Sequence, residues 1–116
     1  MYPDDGQNPG SRTIKAKTTD YAITFSGASY IELKNINFFA TTISVQNSTY
    51  LKITECNFYY PSASRRMLGS TGLGSPNVTS FDSNSTNNIV SKCLFENTEG
   101  EALRIFGNDN TIQNNY

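Results

Sequence analysis

Chemistry in this chain has to be built without imidazole, because none of its 116 residues is His. Ser-His-Asp and Cys-His nucleophilic catalysis are excluded, and so are most zinc sites, which need imidazole or more thiolates than Cys56 and Cys93 supply. Inverting glycoside hydrolysis would want carboxylates projecting from neighbouring strands. All five Asp (Asp4, Asp5, Asp20, Asp82, Asp109) fall in turns or termini by sequence pattern. Elimination from a uronic acid needs a cation facing the sugar carboxylate and a base for the adjacent proton. Arg104, the polar residue within Ala102-Leu103-Arg104-Ile105-Phe106, is the first catalytic candidate and Lys92 the second. The plain alternative for Arg104 is a solvated residue on an exposed sheet face.

Binding residues form a larger set. Ser44, Lys52 and Arg104 lie on the outward side of strand patterns, and Tyr59, Tyr60, Arg65 and Arg66 begin a Ser-, Gly- and Pro-rich stretch. Together they would line a groove for an anionic or ring-stacking sugar; the stretch read alone is an excursion without a partner. Nine Lys and Arg against ten Asp and Glu give a net charge of -1, which removes the basic footprint of a nucleic-acid binder. No apolar run approaches the ~20 residues of a membrane span, and the first residues lack a signal-peptide pattern. Neither a metal nor a cofactor is called for. Asp4-Asp5-Gly6-Gln7-Asn8 lacks the ligand alternation of a calcium loop and reads as a turn.

These side chains must be carried by a repeat. Tyr30 to Phe38 aligns with Tyr50 to Phe58, then with Asn88 to Phe95, and finally with Asn110 to Tyr116. Marker positions Ile36, Cys56, Cys93 and Asn115 are spaced by 20, 37 and 22 residues, so one interval carries an insertion. A second strand pattern precedes each marker, at 21–25, 42–45, 78–81 and 102–106, with apolar and polar residues alternating. Each copy is too short to bury its apolar side alone, and stacking the copies in parallel solves this. One column then holds Ile31, Leu51, Asn88 and Asn110, another Leu33, Ile53, Val90 and Ile112, and a third Phe38, Phe58 and Phe95. An antiparallel sandwich does not account for like falling on like.

The Asn-x-Ile-x-x-(Cys/Asn)-x-Phe pattern, the Gly100 to Ile105 segment and the Asn110 to Tyr116 ending resemble rungs of right-handed parallel β-helix proteins, the pectin-lyase-like superfamily. The resemblance implies an all-β solenoid of about four rungs, with residues 1–12 as a lead-in, 13–116 as rungs and 60–77 as an inserted loop. Arg104-Ile105-Phe106-Gly107-Asn108 is similar to the Arg-His-Gly segment of alginate and chondroitin lyases, with Phe106 or Ile105 where that family has His. Any activity is therefore expected to be of polysaccharide-lyase type.

Two functions follow as expectations. The first is a polysaccharide-binding or polysaccharide-cleaving part of a secreted or cell-surface protein; the second is a structural spacer or stacking unit without a substrate. The stretch Thr13-Ile14-Lys15-Ala16-Lys17, after Pro9 and Gly10, reads as a blocked edge. The C-terminal edge reads as a continuation point, which makes the chain a fragment expected to pair end to end with further rungs or another copy. Sequons at Asn47, Asn77 and Asn84 fit an extracellular origin without requiring it. Cys56 and Cys93 fall at one rung position, where stacked free thiols are expected over a bridge.

Overall fold

The computed structural model describes residues 19–62 and 78–116. These form eleven strands and no helix: β1 (Tyr21–Ser26), β2 (Glu32–Lys34), β3 (Asn37–Phe39), β4 (Thr42–Gln46), β5 (Lys52–Thr54), β6 (Asn57–Tyr59), β7 (Thr79–Phe81), β8 (Ile89–Ser91), β9 (Leu94–Glu96), β10 (Leu103–Ile105) and β11 (Thr111–Gln113). Consecutive strands lie in different sheets, and each pairs in parallel with the strand three places on. The first sheet runs β1-β4-β7-β10, the second β11-β8-β5-β2 and the third β3-β6-β9. The described residues are thus all-β, in three parallel sheets.

The pairing follows the columns expected from the spacing. Leu33 pairs with Ile53, Ile53 with Val90 and Val90 with Ile112, while Phe38 pairs with Phe58 and Phe58 with Phe95. In-register parallel strands put identical side chains one strand spacing apart, about 4.8 Å. The Phe38 and Phe58 rings accordingly stack at 4.7 Å, and Phe58 and Phe95 at 4.8 Å. Ile43, Val45, Ile53, Phe58, Phe81 and Val90 complete a core closed to solvent.

Two strands per period were expected, and the first three circuits have three each. The segment 30–38 breaks at Asn35 into β2 and β3, and its equivalents break at Glu55, Lys92 and Asn114, each with φ between 53° and 56°. A second column of left-handed residues, Tyr30, Tyr50, Asn87 and Asp109, turns the chain into the second sheet, and a third, Ala40, Tyr60 and Asn97, turns it out of the third sheet. Asn and Asp tolerate this region; for Tyr, Glu, Lys and Ala it costs roughly 1–2 kcal/mol per residue, so the neighbouring strands must hold the corner in place.

Buried side chains stitch successive circuits where the backbone turns. Asn88 Oδ1 accepts the Leu51 N–H at 2.9 Å and its amide donates to the Ser48 carbonyl at 3.1 Å. Asn110 repeats the device on the Asn88 N–H and the Ser85 carbonyl, and Asn115 on the Cys93 N–H and the Val90 carbonyl. Cys56 and Cys93 occupy the Asn115 position on earlier circuits. Their free, buried thiols donate to the carbonyls of Leu33 and Ile53, at the positions equivalent to that of Val90. Burial pushes the Cys93 thiol above its ordinary pKa, so it stays protonated and able to donate.

Pro61 and Ser62 remain part of this packing: both are buried, and the Ser62 hydroxyl accepts the Glu99 N–H at 2.8 Å. The lead-in at 1–12, the strand expected at 13–17 and residues 63–77 of the expected loop lie outside the described residues.

Candidate functional site

Alternation along the first sheet decides which side chains face outward. Phe25, Val45, Phe81 and Ile105 form one register row, the first three of them buried in the core, so the residues between point away from it. That outward row reads Thr24, Ser44, Ser80 and Arg104 across β1, β4, β7 and β10. Two residues on, Gln46, Asp82 and Phe106 form a second row at the corner, fixed by the Asp82 N–H to Val45 carbonyl and Phe106 N–H to Phe81 carbonyl bonds.

Short hydroxyl side chains between larger neighbours leave space. Ser44 and Ser80 lie along a groove of about 300 Å³ that Tyr21, Gln46, Asp82, Arg104 and Phe106 also line. Phe106 is 65% exposed, an aromatic face beside hydroxyl, amide, carboxylate and guanidinium groups. Gly107 permits its placement. A Cβ there would stand 1.7 Å from the Ser85 carbonyl oxygen, so only Gly lets the chain cross so close to Ser85.

The charged groups of the groove are already engaged. The Asp82 carboxylate accepts the Ser85 hydroxyl at 2.6 Å, the Asn84 N–H at 3.2 Å and the Asn47 N–H at 3.0 and 3.1 Å. The Ser85 hydroxyl does most to hold this carboxyl below its ordinary pKa; slight burial opposes it, and the amides of Asn47, Asn84 and Ser85 add to the lowering. Arg104 Nε donates to Glu101 Oε2 at 2.5 Å.

The residues singled out from sequence are divided among the sheets. Ser44 and Arg104 share the groove. Lys52 projects from β5 in the second sheet, where it pairs with Glu32 at 3.3 Å. Tyr59 lies on β6 in the third sheet, beside Phe39 and Glu96 in register, and Tyr60 is the left-handed corner that follows. Lys92 is the exposed corner between β8 and β9, not a lining residue of the groove that holds Arg104. Arg65 and Arg66 lie outside the described residues.

Tyr21, Gln46, Ser80, Asp82 and Phe106 are lining residues that sequence reasoning missed. The signal for Ser80 was its offset of 36 from Ser44, masked because the neighbouring corner pair Ser48 and Ser85 is offset by 37. No protein-family profile, no curated protein and no solved structure matches this chain.

Proposed function

We propose that the three sheets make up a right-handed parallel β-helix of about four rungs, and that the protein binds a polysaccharide in the groove over its first sheet, as part of a secreted or cell-surface protein. Parallel pairing between strands three places apart supports the coil, and right-handedness rests on the twist preference of parallel crossovers. The observation that carries the binding reading is the outward row Ser44, Ser80 and Arg104 next to Gln46, Asp82 and the exposed ring of Phe106. Hydroxyl and amide groups hydrogen-bond sugar hydroxyls, an aromatic face covers the apolar face of a pyranose, and a groove crossing several strands suits a polymer.

Binding fits the groove better than cleavage. A general acid or base needs a pKa near working pH and a free lone pair or proton. Asp82 has its pKa moved the wrong way for this, and its Oδ1 already accepts from Ser85, Asn84 and Asn47. Calorimetric titration with a panel of polysaccharide oligomers, repeated on Phe106→Ala, tests the reading. Saturable binding weakened roughly tenfold or more by loss of the ring is the expected result. Equal affinity in the variant would move the site elsewhere, and no binding to any polymer would leave the spacer reading in its place.

A further inference from the structure

We infer that the groove selects uncharged, hydroxyl-bearing sugar polymers and discriminates against uronates and sulfated chains. This rests on the carbohydrate reading above and narrows it, in the direction opposite to the one implied by an arginine on a sheet face. The geometry concerns how Arg104 is held. Its Nε–H is spent on Glu101, three residues earlier, at 2.5 Å, so the guanidinium reaches the groove with its charge already matched. Asp82 on the same wall remains a carboxylate, because one hydroxyl and two backbone amides bond to it. Asp82, Glu101 and Arg104 together bring one positive and two negative charges to the groove and its edge.

A sugar carboxylate or sulfate entering here meets no unmatched cation among the described residues. It can reach the Nη hydrogens of Arg104, but there it meets a guanidinium whose charge Glu101 already matches together with the repulsion of Asp82, a free-energy cost that an uncharged chain does not meet. A neutral polymer meets no such barrier. The Nη hydrogens of Arg104, the Ser80 hydroxyl and the amide of Gln46, which also donates to the nearly buried Ser44 hydroxyl at 3.5 Å, are donors and acceptors matched to sugar hydroxyls, and Phe106 supplies the apolar face. Glu101 is thereby a specificity-determining residue: it is exposed, it does not line the groove, and it sets the sign of the field that the groove presents.

The test compares two classes of probe on the intact chain: uncharged oligosaccharides of glucose, mannose and xylose, and oligomers of galacturonate and mannuronate. Calorimetry at low ionic strength is read for wild type and Glu101→Gln. The expected wild-type result is affinity for at least one uncharged oligomer roughly tenfold or more above that for any uronate. In Glu101→Gln the ratio of uronate to uncharged affinity should rise by about tenfold, and added salt should erase much of that gain. Uronates bound as tightly as uncharged chains by the wild type, or a ratio unmoved in Glu101→Gln, would overturn the inference and leave the carbohydrate reading intact. Absence of binding to both classes would overturn both.

Discussion

The outward faces of the first and second sheets are built from the same register and differ in what is left over. On the second sheet, Glu32 and Lys52 sit opposite each other on β2 and β5 and pair at 3.3 Å, and Lys34 reaches Glu55 on the next circuit at 3.8 Å. Long side chains on adjacent strands satisfy one another, and exposed pairs of this kind add little stability. On the first sheet, Ser44 and Ser80 are too short to span the space above them, and Arg104 turns to Glu101 on its own circuit. A groove results. Where long complementary side chains face each other from circuit to circuit they satisfy one another, and where the row is made of short hydroxyl residues beside a longer one, space and donors remain for a ligand.

That division predicts that stability and binding separate by position. The largest effect belongs to the interior. Phe58, fully buried and stacked between Phe38 and Phe95, should cost about 3–5 kcal/mol on replacement by Ala, read as a lowered urea midpoint. The groove affinity of the protein that remains folded should match wild type. Loss of binding in fully folded Phe58→Ala would show the two regions to be coupled.

Asn88→Ala should cost about 1–3 kcal/mol, because it leaves the Leu51 N–H buried without an acceptor, while the Ser48 carbonyl keeps the Thr86 N–H. Amide exchange supplies the check, with the Leu51 N–H losing protection ahead of the rest of β5. A change below about 1 kcal/mol would mean that water replaces the amide and that the stitch is dispensable.

How far these elements could be read from sequence follows from the same difference. The interior columns were legible because in-register pairing sets like on like: Leu33, Ile53, Val90 and Ile112 announce themselves through spacing alone. The third strand of each circuit was not, because the corner that creates it holds Asn35, Glu55, Lys92 and Asn114, and two of these are not turn-forming residues. Neighbouring backbone forces the left-handed conformation there, and a conformation imposed from outside leaves no mark on composition. The groove was half legible. Ser44 and Arg104 stood out by alternation, whereas Asp82 reads as an ordinary turn residue until the Asn47 amide of the previous circuit is seen to bond to it.

A smaller effect, of opposite sign, tests whether the corners are imposed. Ala40 adopts φ 56°, a region costing Ala roughly 1–2 kcal/mol, while Gly would lose about 0.5–1 kcal/mol more entropy on folding. Ala40→Gly should therefore raise stability by about 0.5–1 kcal/mol, with groove affinity unchanged. A lowered midpoint would show that the Ala40 methyl packs better than its conformation suggests.

The finest distinction concerns Asp82, which belongs to both regions, since its side chain lines the groove and also ties Asn47, Asn84 and Ser85 together. Its folded pKa lies below the ordinary value of 3.8. The unfolded chain therefore binds more protons than the folded one as pH falls through that value, and stability must fall with it. The contribution is complete above the unfolded pKa and is lost as pH drops through the folded one. Asp82→Asn keeps one oxygen acceptor and removes the charge, so the variant should be less stable than wild type at neutral pH. The gap should close only in acid below the folded pKa, itself lower than 3.8, where the wild-type carboxyl is protonated too. Urea midpoints of both proteins at neutral and acid pH give the comparison. A gap independent of pH would mean that hydrogen-bond geometry, and not the carboxylate charge, holds the corner beneath the groove, and the charge could then be altered without cost to the fold.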